Sequence, residues 1–134
     1  MAAHYISTIP ILAVPDVVAA LAYYEEKLGF RIKGQMGEPP NYGIVERDGC
    51  TIHFLFSHHP AISAQPIGGG NADDGKGGVY VEVADVDAVA ADLVARGTAA
   101  EITPEDKPYG MRDFWFRDPN GYMLAFGMPL KNEL

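Results

Sequence analysis

The chain has 134 residues, of which 48% are hydrophobic and 21% are charged, and its formal net charge is −8. This length and apolar content predict one domain whose core needs neither disulfides nor a structural metal. The acidic excess argues against a nucleic acid or an anionic membrane as partner, and no apolar run approaches the roughly 18 residues that span a bilayer. The single cysteine, Cys50, and the lack of a signal-peptide pattern in the first residues favour a cytoplasmic protein.

An internal repeat organises the sequence. Residues 14–29 read VPDVVAALAYYEEKLG and residues 83–97 read VADVDAVAADLVARG. Each copy contains an aspartate, Asp16 or Asp85, that can cap a helix by accepting hydrogen bonds from its free N–H groups. A helical pattern of apolar residues follows, and a glycine at the end of each copy supplies the left-handed residue that commonly ends a helix. The repeat therefore predicts two similar helical units.

Short strand candidates flank each predicted helix. They are Thr8–Val14 before the first helix and Phe30–Gln35, Tyr42–Arg47 and Thr51–Phe56 after it. In the second copy they are Val79–Val83, Ala100–Thr103, Arg112–Arg117 and Tyr122–Phe126. The dipeptide Asp48-Gly49 and the segment 118–121 (DPNG) predict tight turns between strands. Each copy therefore reads βαβββ.

The predicted fold class is α+β. Module 5–57 and module 78–128 make up a single domain, 1–134, and are joined by a Gly- and Pro-rich linker at 58–77. A stretch of about 20 residues without secondary structure is unusual inside a small domain. We interpret the linker either as a flexible connection or as a crossover or flap over a ligand.

Alternation along the strands separates a helix-covered face from an open face. The apolar residues expected beneath the helices are Val79, Val81 and Val83; Leu124 and Phe126; Ile52, Phe54 and Phe56; and Phe114 and Phe116. The open face then carries His53, Leu55, Tyr80, Glu82, Asp113, Trp115 and Met123, with Tyr109 in a neighbouring loop. Its mixture of aromatic, small and a few polar side chains is typical of a ligand-binding concavity. We predict these residues as ligand-binding and assign no catalytic residue.

The patterns resemble one protein family over roughly residues 5–130. The tandem βαβββ order, the helix entries, the segment 107–114 (KPYGMRDF) and the turn 117–121 (RDPNG) are similar to the vicinal oxygen chelate superfamily, which includes glyoxalase I, extradiol dioxygenases and bleomycin-resistance proteins. The segment around Tyr109–Gly121, together with residues 48–54 (DGCTIHF), is most similar to the bleomycin-resistance branch. The resemblance implies a curved mixed sheet with helices on its outer face. It also implies a homodimer in which modules of two chains complete each pocket.

Enzymes of this superfamily hold one divalent metal between His and Glu side chains at four sheet positions. The resemblance carries those positions over to Ile9, Thr51, Gly78 and Ala125, none of which offers a strong ligand. We therefore expect no metal and no other cofactor, and the metal-dependent reactions of the superfamily lose their electrophile. The sequence does not decide whether the protein is an enzyme, but the residues at these four positions favour a protein that is not an enzyme.

The leading hypothesis is a metal-free protein that sequesters a bulky aromatic or cationic small molecule, as bleomycin-resistance members do with their drug. Trp115 offers a stacking surface worth about 0.5–2 kcal/mol toward a desolvated cation, and Glu82 and Asp113 offer counter-charge. One alternative is a glyoxalase- or dioxygenase-like enzyme, a lyase or oxidoreductase, with His53 and Glu82 as acid and base. Another is an accessory or regulatory subunit with a vestigial pocket.

Overall fold

The computed structural model describes residues 2–58, 77–98 and 102–131. The first half of the chain contains β1 (Ile11–Val14), α1 (Val17–Leu28), β2 (Arg31–Met36), β3 (Tyr42–Arg47) and β4 (Cys50–Phe56). The second half contains β5 (Gly78–Glu82), α2 (Val86–Ala95), β6 (Glu105–Asp106), β7 (Met111–Arg117) and β8 (Met123–Pro129). The linker predicted at 58–77 lies almost entirely outside the described residues.

The two halves share one sheet topology. The first sheet has the strand order β1-β4-β3-β2, and the second sheet has the order β5-β8-β7-β6. In each sheet the leading strand runs parallel to the last strand of its half, and the other neighbours are antiparallel. The predicted α+β class and the βαβββ repeat are therefore confirmed. Within the described ranges, neither helix is long and apolar enough to cross a membrane.

Both helices begin where the sequence predicts. Asp16 and Asp85 are the N-caps, and their side chains accept hydrogen bonds from the backbone N–H groups of Ala19 and Ala88 at 3.0 and 3.1 Å. Each bond satisfies one of the N–H groups that a first helical turn leaves unpaired. Helix α1 is closed by Gly29, whose φ of 75° is a left-handed conformation with little cost for glycine. These caps set the length of helix that covers each sheet.

The apolar core lies between the helices and the covered faces of the two sheets. Helix α1 buries Leu21 and Tyr24 against the first sheet, where the ring centroids of Tyr24 and Phe54 are 4.8 Å apart. In the second sheet Phe114 and Phe126 are buried with their centroids 5.4 Å apart. Full burial of one such apolar side chain contributes about 1.5–3 kcal/mol. The covered faces therefore supply a large share of the stability.

The strand predicted at Ala100–Thr103 lies partly outside the described residues, and its described part, Ile102 and Thr103, is not in a strand. The described strand nearest to it is β6 at Glu105–Asp106, and Ile102 packs against the core. Asp106 pairs with Arg112 of β7 in register, and its carboxylate binds the Arg112 guanidinium at 2.9 Å.

Two other strand details differ from the prediction. Phe56 does not pack beneath a helix, because it is the last residue of β4; it is 38% exposed, and its ring lies against that of His58. Strand β1 begins at Ile11 instead of Thr8. Pro10 comes just before it and has no N–H to donate to a ladder. The predicted faces otherwise hold in the covered parts of β4, β7 and β8.

Buried hydrogen bonds join the two halves at the turn before β8. The hydroxyl of Tyr24 donates to the Asp118 carboxylate at 2.7 Å, and the same carboxylate accepts the backbone N–H groups of Asn120 and Tyr122. Burial, and then the nearby Asp118 carboxylate, raise the pKa of Tyr24 well above its ordinary value, so its hydroxyl keeps its proton. The hydroxyl of Tyr122 donates in turn to the carbonyl of Ala13 at 2.8 Å. These bonds tie α1 and β1 to the second half.

We expect Tyr24→Phe to lower the free energy of unfolding by about 1.5–3 kcal/mol, because it removes a buried hydrogen bond to a charged group and keeps the packed ring. Tyr5→Phe is the matched control: its side chain is 93% exposed, so the same chemical change should alter stability by less than about 0.5 kcal/mol. Urea denaturation measures both variants. Equal stability of the two variants would show that the bond to Asp118 does not hold the halves together.

Candidate ligand-binding site

The open face of the first sheet is aliphatic around one histidine. Ile11, His53 and Ile44 lie side by side on β1, β4 and β3. Leu55 follows on the same face of β4, and both Ile11 and Leu55 are exposed. The structure therefore brings two of the predicted site residues, His53 and Leu55, onto one apolar surface.

His53 is bonded to a tyrosine that sequence analysis missed. Its Nδ1 atom lies 2.7 Å from the hydroxyl oxygen of Tyr42, and the two rings meet edge to face with centroids 5.3 Å apart. No hydrogen bond joins His53 to Glu82 in the part of the chain that the structure describes. A signal for Tyr42 was present: the tight turn between β3 and β4 fixes a register that sets Tyr42 opposite Leu55, diagonal to His53.

The open face of the second sheet is aromatic. Tyr80, Ala125 and Trp115 lie side by side on β5, β8 and β7. The two aromatic side chains are about half exposed, at 47% and 46%, and the small Ala125 lies between them. Glu82 follows Tyr80 on the same face of β5 and is exposed. The prediction that Trp115 faces away from its phenylalanine neighbours is confirmed.

A cation lies against the ring of Trp115. The guanidinium carbon of Arg117 lies 5.4 Å from the centroid of the tryptophan ring, a distance typical of a cation–π contact. Met123 is paired with Arg117 across the ladder and is partly buried. Trp115 also lines a small cleft of about 190 Å³ together with Lys107 and Asp113.

Asp113 is the buried centre of this aromatic face. It is 3% exposed, and one carboxylate oxygen binds the Lys107 ammonium at 2.6 Å while the other accepts the hydroxyls of Tyr109 and Tyr80 at 2.7 and 3.0 Å. Burial alone would raise the pKa of Asp113, but the bonds from Lys107 and the two tyrosines hold it below its ordinary value. Since Lys107 matches its charge, Asp113 is not the free counter-charge expected from the sequence. Glu82 is the exposed carboxylate that remains for that role.

The partners of Asp113 keep their protons at neutral pH. The bond to Asp113 raises the pKa of Lys107 and of Tyr109 above their ordinary values. Burial, followed by the bond to Asp113, raises the pKa of Tyr80 to about 12. The cluster is therefore one ion pair with two neutral hydroxyl donors.

Sequence analysis missed Lys107 and Gly127 as parts of this face. Lys107 stands in the segment that carried the family resemblance, but it lies outside the strands, where alternation assigns no face. Gly127 lies beyond the end of the last predicted strand and has no side chain from which to predict contacts. In the structure Gly127 is paired with Asp113 on β7 and with Glu82 on β5.

A cleft of about 680 Å³ lies between the two halves of the chain. Tyr80 and Glu82 of the second sheet line it. Ile9, Thr51 and Gly78, three of the four positions at which enzymes of the resembled superfamily hold a metal, line it as well. The structure thus brings three of the four carried-over positions into one cleft, and the fourth, Ala125, lies between Tyr80 and Trp115 on the aromatic face.

The residues at these positions do not fit a metal. Ile9 and Ala125 have no donor atom, and Thr51 has only a neutral hydroxyl. A Cβ atom at Gly78 would overlap the backbone carbonyl oxygen of Met123, so no ligating side chain could stand there without a backbone shift. Across residues 2–58, 77–98 and 102–131, no three His, Cys, Asp or Glu side chains are grouped so as to hold a metal ion. The four carried-over positions therefore offer no donor set for a metal ion.

A second cleft, of about 490 Å³, adjoins the first. It is lined mainly by apolar side chains, including those of Leu28, Val89 and Phe126. Four residues line both clefts: Phe30, Cys50, Val81 and Glu82. The two halves therefore meet with open space along their junction.

Comparison with known proteins agrees with this fold. Residues 3–126 match the sequence profile of the Glyoxalase/Bleomycin resistance protein/Dioxygenase superfamily. The chain belongs to this superfamily, and the repeat and the sheet topology are consistent with it. No functionally curated protein matches the sequence significantly.

Solved structures with the same fold include a bleomycin-binding protein, a bleomycin resistance determinant and a glyoxalase-related enzyme. A bleomycin-binding protein from Streptomyces verticillus, complexed with copper(II)-bleomycin, is 20% identical with a TM-score of 0.69 over 98% of this chain and all (100%) of the other. A bleomycin resistance determinant encoded on transposon Tn5 is also 20% identical, with a TM-score of 0.69 over 97% and 100% of the two chains. A glyoxalase-related enzyme from Clostridium phytofermentans is 17% identical, with a TM-score of 0.70 over 96% and 98%. At sequence identities this low, the similarity to these structures shows a shared fold alone.

We expect chelators to leave the melting temperature of the purified protein unchanged, because the four carried-over positions provide no metal donor set. Differential scanning calorimetry with EDTA, and separately with added zinc or manganese, measures this. A structural metal binds the native state and therefore stabilises it, so a drop with EDTA or a rise with added metal would show that the protein holds a metal elsewhere.

Proposed function

We propose that the protein binds and sequesters, without chemical change, a bulky small molecule with planar aromatic and cationic groups, such as a bleomycin-like antibiotic. The observation that carries the proposal is the open face of the second sheet, where Tyr80 and Trp115 present half-exposed rings on either side of Ala125. Stacking on such rings favours planar and cationic groups. The exposed Glu82 carboxylate adds attraction for a cation, and the overall charge of −8 acts in the same direction.

The adjoining cleft supports binding in preference to metal-assisted catalysis. Its volume of about 680 Å³ lies within the range of about 300–1,000 Å³ that is usual for small-molecule sites. The positions that hold a metal in enzymes of the superfamily are occupied by residues without suitable donors. The bleomycin-binding proteins among the similar structures support this ligand class.

An enzyme that uses His53 and Glu82 as acid and base has less support. The Nδ1 atom of His53 is engaged with Tyr42. In the described ranges nothing bonds His53 to Glu82, and the two residues lie on different sheets. An enzyme of this superfamily would also need an electrophile in place of the metal.

A thermal-shift screen with metal-free bleomycin, copper(II)-bleomycin and planar aromatic cations tests the proposal. Binding to the native state raises the melting temperature, and mass spectrometry should recover the ligand unchanged. A chemically altered ligand would favour the enzyme alternative. No stabilisation by any of these ligands would contradict sequestration and favour the accessory-subunit alternative.

We expect Trp115→Ala to weaken the binding of a stabilising ligand by about tenfold, because it removes one cation–aromatic contact. It should change the free energy of unfolding by less than about 1 kcal/mol, because the ring is half exposed. Phe114→Ala is the control on the covered face of the same strand. It should cost about 3–5 kcal/mol of stability. Isothermal titration calorimetry and urea denaturation separate the two effects. Unchanged affinity, or unfolding of Trp115→Ala, would make Trp115 a structural residue.

We also propose that the protein acts as a homodimer in a reducing cytoplasm. Each sheet leaves one face open, and large apolar side chains are exposed on the first, among them Ile11, Met36 and Leu55. Contiguous exposed apolar surface marks an interaction site. A two-fold dimer would bury the same patch of each chain and enclose two equivalent pockets between a first sheet and its partner's second sheet. The free, exposed thiol of Cys50 is compatible with a reducing compartment.

Light scattering at micromolar concentration should give a mass near twice the 14.5 kDa of one chain, with one ligand bound per chain by calorimetry. Leu55→Glu places a charge on the apolar face of the first sheet and should dissociate the dimer, because a buried unpaired charge is strongly unfavourable. A monomer mass for the wild-type protein with ligand binding intact would contradict a pocket shared between chains.

A further inference from the structure

Two exposed tyrosines from different elements donate their hydroxyls to the same carboxylate oxygen of the buried Asp113. Tyr80 comes from β5 and Tyr109 from the turn before β7, and both hydroxyls donate to Oδ2 of Asp113, at 3.0 and 2.7 Å. Tyr109 is 63% and Tyr80 47% exposed, whereas Asp113 is only 3% exposed. The ends of the rings are therefore held at a protected carboxylate while much of each side chain remains open to solvent.

A glycine permits this arrangement. Tyr80 and Asp113 lie on β5 and β7, and β8 runs between those strands. At the crossing point β8 has Gly127, which is paired with Asp113. A Cβ atom there would overlap the hydroxyl oxygen of Tyr80 and lie 2.8 Å from the Cβ atom of Asp113. A side chain at position 127 would therefore push Tyr80 away from its acceptor.

The carboxylate presents no free charge to a ligand. Lys107 occupies the other oxygen, Oδ1, at 2.6 Å and is itself largely covered. A buried ion pair with all its partners in place contributes geometry more than attraction for an incoming charge. What Asp113 contributes is therefore the position of the two tyrosine hydroxyls that it accepts.

From this geometry we infer that Asp113 is the positioning residue of the aromatic binding face, which fixes Tyr80 and Tyr109 before a ligand arrives and does not itself touch the ligand. The inference rests on the proposed function and explains how the face gains affinity. A side chain that is already ordered loses little conformational freedom on binding, so less of the stacking energy is offset. Attraction for the cationic part of a ligand then comes from Glu82 and not from Asp113.

The test compares two planar probes of similar size, 9-aminoacridine, which is a cation at mildly alkaline pH, and acridine, which is neutral there. The variants are Asp113→Asn, Gly127→Ala, Tyr80→Phe and Tyr109→Phe, with Tyr5→Phe as control. Fluorescence titration measures both dissociation constants, and near-ultraviolet circular dichroism reports how rigidly the tyrosine side chains are held. Far-ultraviolet circular dichroism checks that each variant is folded.

Each of the four variants should weaken the binding of both probes by about threefold to tenfold, the effect of releasing an ordered side chain. Asp113→Asn and Gly127→Ala, which keep every tyrosine, should also reduce the near-ultraviolet signal. The phenylalanine variants keep the stacking ring, so their loss of affinity isolates the tether to Asp113. Tyr5→Phe should leave both dissociation constants unchanged. If Asp113→Asn does not fold, Tyr109→Phe still decides the question, because its side chain is the more exposed of the two tyrosines.

Three outcomes overturn the inference. Unchanged affinity in Tyr80→Phe and Tyr109→Phe would show that the rings need no tether. A loss in Asp113→Asn confined to the cationic probe would make Asp113 a counter-charge. An unchanged near-ultraviolet signal in Asp113→Asn would show that it orders neither ring. Failure of the wild-type protein to bind either probe contradicts the proposed function instead, and the near-ultraviolet comparison then decides the positioning role by itself.

Discussion

The two-residue period of the strands is the constraint on which the rest of this structure depends. One helix covers one face of each sheet, so alternate residues must suit an apolar core while their neighbours meet the open face. On β7 this places Phe114 in the core and leaves Trp115 half exposed. A slip of one residue would exchange the two and remove both the packing and the binding face. Core and candidate site are therefore two consequences of one alternation.

Two buried aspartates connect segments of the chain whose relative positions do not follow from the alternation of the strands. Asp118 accepts a tyrosine hydroxyl and two backbone N–H groups at the junction of the halves. Asp113 accepts a lysine ammonium and two tyrosine hydroxyls on the open face. A buried carboxylate is tolerated only when such donors satisfy its oxygens. Each aspartate consequently determines where several other side chains lie, one for the fold and one for the candidate site.

The superfamily scaffold leaves a cleft between the two halves of the chain. Three of the four positions that the resemblance carries over from its metal enzymes line this cleft, and they carry an isoleucine, a threonine and a glycine. The space beside them is bordered by aromatic rings and an exposed carboxylate. The same architecture can support metal-dependent catalysis or simple binding, because the fold positions the cleft and the residues in it decide the chemistry.

The sequence by itself determined the repeat, the helix starts at Asp16 and Asp85, the tight turn between β3 and β4, and most of the covered faces. These features depend on local dihedral preferences and on periods of two or 3.6 residues, which can be recognised within a short window. Only the tertiary structure decided that Tyr80 reaches across Gly127 to Asp113, that Tyr24 reaches Asp118, and that β6 lies beyond Ile102. Such contacts join residues far apart in the chain through the order of strands and the packing of the halves. Alternation can place a side chain on a face, but the partner it meets there is set by which strands lie next to each other.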